Sequence, residues 1–171
     1  MKTFLVAAVV VGFASSAAAL ELSSPDIKEG AQIAKEQVYT RCGGSNASPA
    51  LFWSGAPAGT KSFAVTAIDL SVKPNEWSHW IAVDIPQTVS SLGKGTALPQ
   101  GAKPVMTDFG DARYDGPCPP PGSGVHRYEF TVWALSTPSV QIPEHATAMQ
   151  VTATLQKNAL AKVSITATYQ R

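Results

Sequence analysis

"GPCPPPGSGVHRYEFTVWAL", residues 116–135, changes character halfway along. Its first half is stiffened by proline and punctuated by glycine, a composition that excludes helix and reads as a rigid loop. Its second half alternates strictly, with His126, Tyr128, Phe130 and Val132 on one side and Arg127, Glu129 and Thr131 on the other, the period of a β-strand. A rigid loop feeding a strand that opens with His-x-Tyr is where binding groups tend to be held.

Working outward, "KSFAVTAID" (61–69) and "HWIAVDIP" (79–86) also read as strands. In the first, Phe63, Val65 and Ala67 share a face that ends in Asp69. In the second, His79, Ile81, Val83 and Ile85 share a face opposite Trp80, Ala82 and Asp84. "AKVSITATYQR" closes the chain as a strand, and "EHATAMQVTATLQKNAL" (144–160) carries Met149, Leu155 and alanines at helical spacing. Residues 20–35 suit an irregular entry with one short strand, and 42–53 run from turn into the apolar Leu51-Phe52-Trp53. Residues 87–125 are long and irregular. A connection of that length in a compact domain is usually functional. The expected fold is mostly β, with few helices and long loops.

The start of the 171-residue chain reads differently. Lys2, the apolar run "FLVAAVVVGFA" and the small residues of "SSAAAL" form a cleavable secretory leader, cut after Ala19. The apolar run falls short of the roughly 20 residues a membrane span needs. Residues 20–171 then form one domain, exported to the periplasm or beyond. Without Lys2 its basic side chains equal its 12 acidic ones. No basic tract or basic–aromatic pattern points to nucleic acid, and no polybasic cluster points to stable membrane association. In an exported chain, Cys42 and Cys118 are expected to pair. Such a bridge, closing about 76 residues, stabilises by about 4 kcal/mol in the chain-entropy model. A reactive Cys118 with His126 as its base is the competing reading.

Three strands thus each carry a polar residue at one end of an apolar face: Asp69, His79, and His126 with Tyr128. If those ends converge, they form a small polar pocket with Pro119–Pro121 as a stiff rim, suited to an anion or a headgroup carrying both signs. The enzyme readings lack a Gly-x-Ser-x-Gly elbow or a His-Glu-x-x-His helix. His79, His126 and Asp69 lack metal-site spacing, so no metal or other cofactor is expected. A hydrolase or lyase using His79 and His126 as acid and base is the alternative from another class. His145 reads as a surface residue at a helix start.

"CGGSNASPALFW", "PAGTKSFAVTAID", "SHWIAVDIP", "DFGDARYDGPCPPPGSGVHRYEFTVWAL" and "ALAKVSITATYQR" together resemble the phosphatidylethanolamine-binding protein family, in its bacterial Raf-kinase-inhibitor-like (YbhB/YbcL-like) branch. The two cysteines and the leader look most like its exported members. The resemblance implies a β-sandwich of two sheets with one or two helices near the C-terminus. It also implies a non-enzymatic binding protein whose pocket holds phosphate or a phosphoethanolamine-like head, and which engages or inhibits a partner protein. Its pocket residues carry over to Asp69, His79, Pro119, Pro120, His126 and Tyr128, with Tyr114 nearby. The family pattern Asp-Pro-Asp-Ala-Pro is replaced here by "DLSVKP" (69–74), with Ser71 in place of the second acid. This change raises a further reading, an interaction module whose pocket is filled by that loop. It also places Lys73 near the mouth, either adding positive charge or pointing into solvent.

Overall fold

The computed structural model describes residues 19–171; the leader expected over 1–19 lies, but for Ala19, outside the described residues. Eight strands follow in order: β1 (Glu21–Ser23), β2 (Leu51–Ser54), β3 (Ser62–Asp69), β4 (Trp77–Pro86), β5 (Ser91–Leu92), β6 (Lys103–Pro104), β7 (His126–Leu135) and β8 (Ala159–Tyr169). One helix, α1 (Ala148–Asn158), precedes β8, and two short 3-10 turns span Lys35–Gln37 and Thr40–Cys42. The strands form a three-stranded sheet ordered β1-β2-β5 and a five-stranded sheet ordered β6-β4-β3-β7-β8. The mostly-β, two-sheet architecture with a helix near the C-terminus is as the sequence implies.

β3 lies at the centre of the larger sheet and is buried along its whole length. One of its faces, with Phe63, Val65 and Ala67, joins Leu51, Trp53 and Leu92 of the smaller sheet and Phe130 and Val132 of β7 in the main core. On the opposite face, Ala64 joins Ile81, Val83, Trp133 and Leu135 beneath Val151 and Leu155 of α1. β3 pairs with β7 without interruption from Ser62↔Leu135 to Asp69↔Tyr128, so the alternation read from β7 survives intact in the fold.

β4 does not keep its alternation. Its partners to Ala67 and Ile68 of β3 are Trp80 and Ser78, which leaves His79 as an extra residue. A second irregularity sets Phe63 and Val65 against Ile85 and Ala82, and Asp84 there takes a left-handed φ of 56°. Each bulge reverses which side chains face which core. The single face expected for His79, Ile81, Val83 and Ile85 is therefore divided. Ile81 and Val83 pack under α1, whereas Ile85 joins the main core and His79 lies edge-on to Tyr128, a member of that core.

α1 is shorter than the 144–160 segment expected. Thr147 caps it through a reciprocal pair with Gln150, and Asn158 gives way directly to β8. Its buried stripe is Ala148, Val151 and Leu155, whereas Met149 is 63% exposed, so the expected place of Met149 in the stripe is corrected. His145 is exposed, as expected, ahead of the helix.

The long segment between β4 and β7 is fastened to the bulged start of β4. The Asp108 carboxylate accepts from Ser78 N–H at 2.7 Å and Ser78 Oγ at 2.6 Å, and Asp115 N–H donates to the His79 carbonyl at 2.9 Å. The division of faces is testable by truncation. Ile81→Ala opens a cavity beneath α1 and should cost about 2–5 kcal/mol in denaturant unfolding. Met149→Ala should stay within about 0.5 kcal/mol; similar costs for both would contradict the assigned faces.

Candidate functional site

Where β3, β4 and β7 end, a cleft of about 320 Å³ opens. Asp69, His79, His126 and Tyr128 form its polar side, and Pro119 and Pro120 form its rim. Val72, Trp77 and Phe109 form an apolar wall. Every residue expected at the site is there except Tyr114. Its buried phenol donates to the Gln37 carbonyl at 2.9 Å and its ring stands edge-on to Trp80, so it packs the core and lines a different cavity.

Asp69 closes the buried strand β3, so its carboxylate finds its partners inside the protein. One oxygen accepts from His126 Nδ1 at 2.6 Å and the other from Ser71 N–H at 2.8 Å. His126 Nε2 lies 3.0 Å from Ser123 Oγ, whose hydrogen is also within reach of the Pro120 carbonyl at 2.8 Å. Asp69 and Tyr128 face each other across the β3–β7 pairing, which brings the phenol beside the carboxylate.

His79 owes its position to the bulge. Its Nδ1 is 2.7 Å from the Asp115 carbonyl, which only accepts, so the proton sits on Nδ1 and Nε2 keeps its lone pair. Burial pushes this imidazole below its usual pKa, against the opposing pull of the Asp115 carbonyl and the Asp69 charge. It is a neutral acceptor walled by rings, with Phe109 at 5.0 Å and Tyr128 at 5.1 Å. Tyr128 is 1% exposed, and its hydroxyl lies beside the Asp69 carboxylate without forming a well-aligned hydrogen bond. Burial, then the Asp69 charge, raises its ionisation, so it remains a phenol able to donate.

The rim is anchored from behind. Cys42 and Cys118 lie at disulfide distance, their Cα atoms 5.6 Å apart. Gly116 passes so close to the Gln37 carbonyl that a Cβ would lie 1.9 Å from it, which only glycine accommodates. Asn46 accepts from Gly116 N–H at 2.7 Å and donates to the Tyr114 carbonyl at 3.1 Å. Asn46, Trp77 and Phe109 were not foreseen. The period-2 relation of Trp77 to His79 was the one available signal for them.

The "DLSVKP" loop does not fill the cleft. Ser71 replaces the family's second acid with two backbone contacts: its N–H donates to Asp69, and its Oγ accepts from Arg127 N–H at 2.9 Å. Val72 lines the wall, whereas Lys73 is exposed and folds back to the Leu70 carbonyl at 3.5 Å. Among the described residues, no Lys or Arg lines the cleft.

The family model for phosphatidylethanolamine-binding proteins matches residues 23–170, and the chain belongs to this family. It is 41% identical to the UPF0098 protein YbcL of Escherichia coli over 99% of both chains, and 37% identical to Escherichia coli YbhB over 88% of this chain and 99% of that one. The crystal structure of YbcL superposes with a TM-score of 0.82 at 40% identity, covering 90% of this chain and 99% of the other.

The buried imidazole makes stability pH-dependent in a defined sense. Between the lowered folded pKa of His79 and its ordinary value of 6.5, the unfolded chain binds more protons than the folded one. Stability therefore rises with pH across that interval and is fully present above it. Asp115, whose carboxyl is pushed up by burial, acts in the opposite sense. The difference between wild-type and His79→Gln profiles isolates the imidazole. Unfolding free energy should fall from about pH 7 towards pH 5 more steeply in the wild type than in His79→Gln. Parallel profiles would show that His79 is not held neutral.

Proposed function

We propose that this member of the phosphatidylethanolamine-binding protein family is an exported protein whose cleft binds a small phospho-headgroup. In this reading the cleft binds its ligand, and His79 and His126 do not work as a paired acid and base. The observation that carries this is the buried Tyr128 hydroxyl, which lacks a well-aligned partner while its residue lines the cleft. A buried hydroxyl without a partner costs about 1–3 kcal/mol, a deficit that a ligand acceptor removes.

With no lysine or arginine at the wall, a phosphate is recognised by hydrogen-bond donors rather than by a cation. Trp77 and Phe109, edge-on to each other with ring centroids 5.9 Å apart, line the cleft and would meet the other end of the ligand. They favour a head that also carries an ammonium group. The paired-histidine enzyme fits less well, because His79 is neutral and its Nδ1 proton is held by a backbone carbonyl. Export is supported by the N-terminal leader pattern and by the cysteine pair. Partner engagement would use the mouth of the cleft, where Trp77 is 38% exposed and Val125, next to His126, is 57% exposed.

Titration calorimetry tests the reading with inorganic phosphate and phosphoethanolamine on wild type, His126→Ala and Tyr128→Phe. Phosphoethanolamine should bind more tightly than phosphate, by roughly 2- to 30-fold if one cation–π contact separates them. Tyr128→Phe should weaken both by about 0.5–1.5 kcal/mol while the fold persists. Absence of heat with either compound, or affinities untouched by both substitutions, would remove the assignment.

A further inference from the structure

The binding reading leaves one arrangement at the cleft unused. Ser123 Oγ lies 3.0 Å from His126 Nε2, and His126 Nδ1 lies 2.6 Å from the Asp69 carboxylate. A hydroxyl, an imidazole and a buried carboxylate are thus joined in series through opposite ring nitrogens. This is the relation by which a serine nucleophile is activated, and it is recognised by geometry rather than by chain order. We propose that Ser123, His126 and Asp69 form a nucleophile–base–carboxylate array that accepts acyl groups from small esters and releases them to water.

Each member is suited to its part. The Asp69 carboxylate holds the proton on Nδ1, which leaves the Nε2 lone pair directed at the serine. Ser123 is exposed on the loop, flanked by Gly122 and Gly124 with φ of 77° and 86°. A Cβ added at either glycine would meet nothing within 4 Å, so the nucleophile is approachable from solvent. Rotation about the Cβ–Oγ bond carries the serine hydrogen from the Pro120 carbonyl, 2.8 Å away, to His126 Nε2. Among the described residues, the N–H groups of Gly124 and Val125 donate to no backbone acceptor. They follow the serine in the chain, and the N–H after a nucleophile is one of the donors that stabilise an oxyanion. His126 and Pro120, the two partners of Ser123, both line the cleft, and its Val72, Trp77 and Phe109 wall suits a short apolar acyl group.

The chemistry balances with water as the only co-reactant. Ser123 Oγ attacks the ester carbonyl carbon as His126 Nε2 takes its proton. The tetrahedral intermediate collapses, the carbon–oxygen bond to the alcohol breaks, and Nε2 returns the proton to the leaving alkoxide. Water, deprotonated by the same nitrogen, then attacks the acyl-serine, and the acid leaves as Oγ regains its proton.

Two probes test this on the folded, exported protein. A fluorophosphonate should add once to Ser123 with loss of fluoride, seen by intact mass and peptide mapping. p-Nitrophenyl butyrate should be hydrolysed at a rate that Ser123→Ala lowers at least about 100-fold. Ser123→Ala should keep the wild-type circular dichroism spectrum and thermal unfolding midpoint, which shows that the variant is folded. No adduct at Ser123, or hydrolysis unchanged in Ser123→Ala, overturns the proposal. Labelling at Ser123 without headgroup binding would retain this proposal and discard the binding reading; binding without labelling would do the reverse.

Discussion

A central strand buried on both faces has no water to offer the polar groups it carries, and β3 is such a strand from Ser62 to Asp69. Its backbone is satisfied by β4 and β7. Its side chains must be satisfied there too, because an unpaired buried carboxylate is far too costly to keep. Asp69 therefore recruits His126 from β7 and the Ser71 N–H from its own loop. The bond to His126 orients the imidazole, the imidazole meets Ser123, and Ser123 meets the proline rim. Much of the cleft's polar wall follows from the need to compensate one carboxylate at the end of a dry strand.

The other half of the cleft follows from a defect in pairing. A regular β4 would direct His79 to the side of Ile81 and Val83, beneath the helix, with no route to Asp69 or Tyr128. The extra residue opposite Ala67 and Ile68 turns it to the other side. Asp108 and Asp115 then fix the bulged segment through Ser78 and the His79 carbonyl. The carbonyl of Asp115 fixes the imidazole tautomer as well. The long segment before the proline rim is thus a clamp on the bulge, which accounts for a length that carries only the two-residue strands β5 and β6.

What was legible in the sequence divides along the same line. β7 pairs regularly, so strict alternation placed His126, Tyr128, Phe130 and Val132 on one face correctly. β4 alternates just as strictly on paper, but its bulges arise from pairing with β3 and from the clamping loop, neither of which leaves a mark within the segment. The structure brings His79 together with Asp69 and Tyr128 along one cleft, although not from the face that alternation assigned to it. Tyr114 came from resemblance alone, and the hydroxyl that would have served a ligand is occupied by Gln37. Met149 shows the same limit in the helix, where amphipathic spacing admits more than one stripe until the sheet beneath selects Val151 and Leu155. Ser123 was invisible because it sits among small residues in a turn, and only folding turns three residues of separation into a hydrogen bond to His126.

The electrostatics of the cleft bear on which of the proposed ligands it would admit. Asp69 carries the negative charge of its polar side, His126 is bonded to it, and His79 is held neutral by burial. Lys73, on the loop that carries Val72, folds back to the Leu70 carbonyl. A multiply charged anion entering this space would lose its hydration without meeting a fixed cation, an exchange that disfavours it. A head whose charges sum to zero avoids that loss. Its phosphoryl oxygens can take the Tyr128 hydroxyl, while its cationic end lies against Trp77 and Phe109. An uncharged ester avoids the loss as well, and needs only the hydroxyl of Ser123 and an apolar wall. The absence of a lysine or arginine from the described lining of the cleft argues against bare phosphate and leaves both of these proposed ligands admissible.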